Sequence, residues 1–537
     1  MKHIIIIVAI FLFPLSVYSQ YLEIPWQQCY GGSDQDNAKD IINVSGGYLI
    51  IGWTESNDGD ISFNNGGSDG WIIKADSIGN IIWEKSYGGT KGDNFFRIFP
   101  DNLGNYFILG ASNSSDGDVN YDPYTDSWDY WILKIDPNGN IIWDKIVGGN
   151  YGDILWSGSP TLDGGVVAVG WIYSNDGDVS VNYGGADTWA VKISSDGELE
   201  WDFTIGTDWI DKGQAILQTS DGGYLIASSS AIHENAIGNI TCTPHTYGWA
   251  EGVLFKLDSN LNLEWQHCYG GSDHDGITAI MEVSDGYVFG AYVNSNDGDI
   301  SGWHGGNDIW IVKIDFSGNI IWQNPLGGSR SEFISTLLLT EDESIVIPGY
   351  TQSNDGNVSG NHTMSEYDYD IWFVKLNNEG DLFSQQCFGG VGSEIVEFGV
   401  VKKSDNNFVI AGHTDFGPSY DVGCTPHGGN GVDKDYWVFE IQDTLTSTLA
   451  SIGFTEEVKV YPNPADEYVC FDVTSGGLVE MPEVKIFNSQ GMPVKDLVLF
   501  ESKGKIIWDL RKVAPGVYFY QITSNGNYPE SGKIVVN

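Results

Sequence analysis

Seven acidic residues stand at one repeated place in this chain: Asp36, Asp93, Asp153, Asp211, Asp275, Glu332 and Glu394. Each follows by ten residues an anchor held by Trp26, Trp83, Trp143, Trp201, Trp265 or Trp322, with Ser384 in the seventh register. Carboxylates gathered by a repeat can bind a cation or a basic ligand. They can also accept backbone N–H bonds that shape a turn, and an identical role in every repeat favours the turn. A second acidic set lies in Asp-Gly loops: Asp58 and Asp60, Asp116 and Asp118, Asp176 and Asp178, Asp297 and Asp299, with SNDGNVS at 353–359 as a variant. Alternating carboxylates can hold Ca²⁺, the one cofactor these residues suggest, yet the twelve-residue loop with its terminal Glu is absent. Asn and Asp before Gly are also what a tight turn requires.

Just before those loops, Trp53, Trp171, Tyr292 and Tyr350 share one register, with Ala111 in the same place. Such an array can stack on sugar rings or a protein partner, or it can seal the ends of the sheets.

The elements that position these residues follow from the anchor spacings of 57, 60, 58, 64, 57 and 62 residues, which mean stacked copies of one unit. Within the first unit, residues 37–44, 47–54, 69–75 and 80–87 read as strands separated by Ser-Gly-Gly, Asn-Asp-Gly and Ile-Gly-Asn turns. No window keeps a helical period. Four strands per unit make a propeller blade. The chain opens on a lone fourth strand at 24–30 and reaches a third strand at 436–441 that lacks its fourth, so the N-terminal strand is expected to complete the last blade. The expected fold is therefore all-β: a seven-bladed β-propeller over 22–442 closed by the N-terminal strand, a linker over 443–457, and a small β-sandwich over 458–537. Strand parity places the long Asp-rich loops and the blade-to-blade connections on one face, where function usually sits.

Units four and seven replace the Asp-Gly loop with insertions carrying Cys-Thr-Pro-His, at 242–245 and 424–427. A metal site would need two further ligands in each. The fourth strands completing those same units carry Cys268 and Cys29, so the expected disulfides are Cys242–Cys268 and Cys29–Cys424, with Cys387 and Cys470 free.

The formal net charge is −48, from 73 acids against 25 bases, which repels nucleic acid and anionic membrane surfaces. Residues 1–19 read as a secretory signal: Lys2, an apolar run from Ile4 to Phe13, and Val17-Tyr18-Ser19 before the cut. Beyond it no stretch is long and apolar enough to span a membrane.

The last eighty residues change character. Tyr461-Pro462-Asn463-Pro464, Gly491, Pro515-Gly516-Val517-Tyr518 and Gly532-Lys533 follow one another between alternating strands. This stretch closely resembles the type A C-terminal sorting domain of the type IX secretion system of Bacteroidota. The resemblance implies handling by the type IX machinery, with the cargo secreted or attached to the outer cell surface.

Three functions fit these observations. The first is a non-catalytic propeller binding a glycan, polymer or protein through its Asp- and aromatic-rich loop face. The second is a propeller-type glycoside hydrolase using a carboxylate pair. The third is a purely structural surface component. No nucleophile elbow supports Ser-His-Asp chemistry, and the arginine cluster of sialidase-type propellers is missing, since only Arg97 and Arg330 fall in the repeats.

Overall fold

The computed structural model describes residues 22–443, apart from loop residues 120–122, 125–126, 364 and 428–432, and parts of 459–536. The expected signal and, save Asp443, the expected linker lie outside the described residues. The chain separates into two compact units, dividing after Asp443.

Among the described residues the first unit holds seven antiparallel sheets of one pattern. In the first, Asp36–Val44 is innermost, followed by Gly47–Thr54, Asp69–Asp76 and the outermost strand Ile81–Tyr87. Tyr48, Leu49, Ile50 and Ile51 run consecutively and are all buried. Such unbroken apolar runs, in place of alternation, mark strands covered on both faces. The covering is supplied by neighbouring sheets: Leu49, Ile51 and Ile72 of the first sheet pack with Phe95, Ile108 and Trp131 of the second. Ile50, Trp71 and Ile73, on the opposite face, pack with Val409, Tyr436 and Val438 of the last.

Six of the seven third strands bury a tryptophan whose indole N–H reaches the outermost strand; Ala250–Leu257 of sheet four has none. Trp71 donates to Glu84 at 2.9 Å, Trp310 to Gln323 at 2.7 Å, and Trp372 to Gln385 at 2.8 Å. In the last sheet Trp437 donates to Gln27 at 3.0 Å, across almost the whole chain. There Gln27–Tyr30 pairs antiparallel with Asp435–Asp443, in the register Gln27 to Phe439 and Tyr30 to Tyr436. The strand expected over 24–30 is shorter than that, and Leu22 and Glu23 pair separately with Asp443 and Gln442. Pro25 has no N–H to give the ladder, which breaks around it.

Sheets six and seven differ in their innermost strands. Sheet six has Glu332–Ile334 and Leu338–Leu339 instead of one strand, opposite a second strand (Ile345–Thr351) that contains Pro348 and so lacks a donor there. Sheet seven has Glu394–Ile395 and Val400–Ser404, and between them the amide of Phe398 turns to the carbonyl of Lys39 in sheet one at 3.1 Å.

The loops fall as parity requires. The amides of Asp60, Asp118, Asp178 and Asp299 donate to Gly31, Gly88, Gly148 and Gly270 of the blade-to-blade connections at 2.8–3.0 Å. Those two kinds of connection therefore share one end of the unit.

Cys29 is bonded to Cys424 and Cys242 to Cys268, while Cys387 and Cys470 are free and buried.

Among the described residues the second unit holds two sheets. One orders Lys459–Tyr461, Tyr468–Asp472, Lys505–Asp509 and Leu499–Ser502; the other orders Glu483–Phe487, Gly516–Ser524 and Asn527–Val536. They meet through Phe471 against Tyr520 and Trp508 against Tyr518, at 5.2 and 5.4 Å between rings. Tyr461 closes its strand opposite Cys470, Gly516 opens its own opposite Val536, and Lys533 is exposed. Pro462, Asn463 and Pro464 lie outside the described residues.

The two disulfides close loops of very different size, with sequence separations of 395 and 26. Loop entropy then assigns up to roughly 6 kcal/mol to the first and roughly 3.5 kcal/mol to the second. We expect Cys29→Ser/Cys424→Ser to lower the melting temperature more than Cys242→Ser/Cys268→Ser; equal losses in calorimetry would contradict this assignment.

Candidate functional site

The seven repeat acids sit at the joints between sheets, and all are buried. Asp36 accepts the amide of Gly32 at 2.8 Å and the hydroxyl of Ser56 at 3.0 Å; Asp275 repeats this with Gly271 and Ser295, both at 2.7 Å. Glu332 and Glu394 use the longer side chain to take Thr351 and Thr414 hydroxyls at 2.7 Å. Asp153 departs from the pattern and accepts the amides of Tyr173 and Ser174.

A second set of acids, which the sequence reading missed, faces the first. Asp69, Asp129, Asp187, Glu251, Asp308, Asp370 and Asp435 lie at the start of each third strand and are equally buried. Their signal was available: six stand two residues before the buried tryptophan, as Asp-x-Trp, and Glu251 holds the same register without it. Both acids of a joint crowd one glycine. A Cβ on Gly31 would lie 2.6 Å from Asp36 Oδ2 and 2.8 Å from Asp435 Oδ1, and at Gly88 it would lie 2.5 Å from Asp69 and 2.6 Å from Asp93. Only glycine leaves room for two carboxyl groups there.

Burial drives these groups toward the neutral form, with the facing acid adding to it. Asp36, Asp69, Asp187 and Glu332 are pushed up to about 7, Asp211 to about 6 and Glu394 to about 8. Four joints add a histidine on the third-strand acid: His245 on Glu251, His304 on Asp308, His362 on Asp370 and His427 on Asp435, at 2.5–3.0 Å. The histidines of the two Cys-Thr-Pro-His insertions are thus held by strand acids.

The loop acids are engaged as well. Asp58, Asp116, Asp176 and Asp297 accept amides of Ser33, Thr90, Asn150 and Ser272 at 2.7–2.9 Å. Asp60, Asp118, Asp178 and Asp299 accept those of Gly31, Gly88, Gly148 and Gly270 at 3.2–3.4 Å. Each loop therefore clips its own sheet to the connection that enters it from the sheet before. Among the described residues no group of three or more His, Cys, Asp or Glu side chains is arranged to hold a metal ion.

Inside this loop end lies a cavity of about 330 Å³ on the axis, lined by residues of sheets one, three, four, five, six and seven. The innermost strands bulge after Ala38, Leu155, Gly213 and Ile277. A bulge re-aims the extra residue, here Lys39, Trp156, Gln214 and Thr278; the last three line the cavity together with Ser335 and Glu397 at the same register of sheets six and seven. Where every joint repeats, these positions do not: the third residue after the repeat acid is Lys39, Phe96, Trp156, Gln214, Thr278, Ser335 or Glu397.

The aromatic register is half-buried in this region. Tyr292 and Tyr350 line the cavity; Tyr350 stacks on Phe333 at 5.3 Å and Tyr292 meets the Ser229 hydroxyl at 3.1 Å. Trp171 packs on Trp156 at 6.0 Å and beneath Lys212 at 5.1 Å. Trp53 pairs across strands with cavity residue Asn37. The same register in sheet seven holds His413, opposite Ile395. Sequence reading passed over His413, Phe333 and Phe398 because their types break the repeat. Other aromatics are strongly exposed in the connections of the same end, namely Phe63, Tyr151, Tyr173, Trp209, Tyr247, Trp249, Tyr367 and Tyr420, while Phe316 and Phe383 are exposed away from it. A larger open cleft of about 650 Å³ beside Arg330, Asn354 and Glu366 has polar walls.

With both units described, their kinship is as follows. Residues 459–537 match the Secretion system C-terminal sorting domain family, so the second unit is a sorting module and the chain is one exported by type IX secretion to the cell surface or the extracellular space. No curated protein matches the chain in sequence. Among solved structures it is similar to the Neurospora crassa Pan2 WD40 domain, at TM-score 0.42 and 11% identity over 78% of this chain and 96% of that one. It is also similar to Drosophila Plexin A in complex with Semaphorin 1b, at TM-score 0.39 and 8% identity over 91% and 96%. A third is puromycin hydrolase, at TM-score 0.38 and 10% identity over 73% and 52%. The first unit is an all-β propeller-like fold.

Two expectations follow. A carboxyl whose folded pKa lies near 7 stabilises the fold fully below about pH 4 and loses that contribution as pH rises through the folded value. His245 and His362, raised by Glu251 and Asp370 beside them against the opposing effect of burial, act in the same direction. The melting temperature should therefore fall steadily from pH 5 to pH 8.5, and Asp36→Asn with Glu394→Gln should flatten that slope; a flat wild-type profile would contradict the joint chemistry. Removing residues 458–537 should leave the propeller inside the cell envelope, and its normal appearance outside the cell, checked by fractionation, would refute the sorting role.

Proposed function

We propose that the mature protein is a non-catalytic, exported binding propeller, a ring of seven blades that meets a glycan, polymer or protein ligand at its loop end. The observation that supports this reading is the set of exposed aromatic side chains in the connections of the loop end, with Tyr367 75% and Tyr420 63% exposed. Exposed aromatics clustered on the loops of a rigid scaffold are the composition of a recognition surface, since they bury large area at low entropic cost.

The carboxylate pairs that a glycosidase would need occur here once per joint and are fully buried beside backbone glycine. A catalytic pair needs access to a glycosidic bond and a space for water. That chemistry is better assigned to structure.

Binding of the purified protein to arrays of glycans, soluble polysaccharides and surface proteins tests the reading. A ligand is expected whose affinity falls about tenfold or more in Tyr367→Ala/Tyr420→Ala or Trp209→Ala/Trp249→Ala, as for truncated aromatic hot spots. Wild-type affinity in both variants would overturn the loop end as the contact surface.

A further inference from the structure

We propose that the axial cavity is a site for the terminal rings of a saccharide, one or two sugar units held end-on at the mouth of the loop face. This rests on the reading of the protein as a binder and names the ligand class of that end.

The cavity contains polar groups that the fold leaves without partners. His413 is 1% exposed, and neither of its ring nitrogens has a hydrogen-bond partner. Asn37, 6% exposed, leaves Oδ1 unpartnered, and Glu397 leaves Oε2 unpartnered while Oε1 pairs with Lys39. Buried polar groups are ordinarily satisfied, and three residues with an unmet polar atom line this one cavity, which marks it as a place for a polar ligand. Burial, with Lys434 and Lys39 nearby, holds the His413 ring well below its usual value, so it is neutral, with one donor and one acceptor nitrogen. The missing partners are donors to Asn37 and Glu397 and a mixed pair for His413. Hydroxyl groups supply both roles from one atom.

The remaining wall is aromatic. Trp156, Phe333, Tyr350 and Phe398 give the lining its aromatic carbon, against which the C–H face of a sugar ring can pack. Charge argues the same way. Lys39 is taken by Glu397, and Arg97 by Asp40 at 3.0 Å while it lies over Phe398 at 4.6 Å. A polyanion would meet Glu397, a polycation Lys39 and Lys434, and a hydrocarbon would leave the orphans unmatched. At about 330 Å³ the space is at the small end of ligand pockets, which suits a chain end.

The test is calorimetric titration of the full mature chain with glucose, galactose, mannose, N-acetylglucosamine and their disaccharides. The same titrations are made on Thr278→Trp, which fills the cavity, and Asn37→Leu, which removes one acceptor. Unchanged melting temperatures and intact disulfides establish that both variants fold. Binding of at least one free sugar or disaccharide is expected, lost in Thr278→Trp and weakened about tenfold or more in Asn37→Leu. Should neither folded variant change sugar binding, the site lies elsewhere and this proposal fails. If no saccharide binds while a protein or non-carbohydrate polymer does, the proposal fails and the wider binding reading stands. A chain that binds nothing of any class overturns both.

Discussion

A four-stranded sheet of about thirty residues has two apolar faces and cannot cover either by itself. Everything in the first unit depends on sheets covering one another. Ile72 of sheet one lies against Phe95 and Trp131, while Trp71, one residue earlier on the other face, lies against Tyr436. Full burial of side chains such as these stabilises by roughly 1.5–3 kcal/mol each, and a sheet left at an open end would forfeit it on one side. Pairing Gln27–Tyr30 with the last third strand, and packing sheet seven against sheet one, leaves neither terminal sheet uncovered.

The same face-to-face packing creates the polar problem that the joints solve. Chain passing from one sheet to the next must bury backbone amides, and a carboxyl group is the short acceptor that reaches them. Two acids converge on one glycine because strands of neighbouring sheets start side by side there. Proximity and burial then make each pair prefer the protonated form, so the joints tie the stability of the ring to pH. Acids in the turns behave in the opposite sense: Asp101 is lowered to about 2, and chiefly Asn105 and Lys134 hold its carboxylate there against a burial effect that raises it. Its contribution is present above the ordinary carboxylate range and lost in acid. The two populations together place the most stable range in mildly acidic solution.

The proposed recognition falls on what the joints leave free. Positions bonded across sheets cannot vary in type without opening a seam, and they repeat. Residues that bulge toward the axis lie outside the repeated joints, and their types run from Lys39 through Trp156 to Glu397. Variation inside a repeating frame is the reason the axial cavity, and not any single blade, is the place proposed for a ligand.

Much of this was legible in the chain. The anchor tryptophans and the lone strand at the start announced the repeat and its phase, because each sheet must present the same faces to its neighbours. The cysteines announced their pairing, because only two units hold both a loop and a strand cysteine. The bond of Asp36 to the Gly32 amide is local in sequence and could be read there, whereas Asp58 reaches Ser33 across 25 residues, which its own turn does not announce. The break at Pro25 and the split strand opposite Pro348 were written in residue types but overlooked. Other features depended on tertiary structure. The facing of Asp36 with Asp435 joins residues from the two ends of the propeller, and His413 loses its partners only when it is placed beside Asn37 and Glu397 from other strands. Sequence determined the repeat because a repeat is local; the cavity was decided only when closing the sheets around an axis brought unlike residues of different sheets to one place.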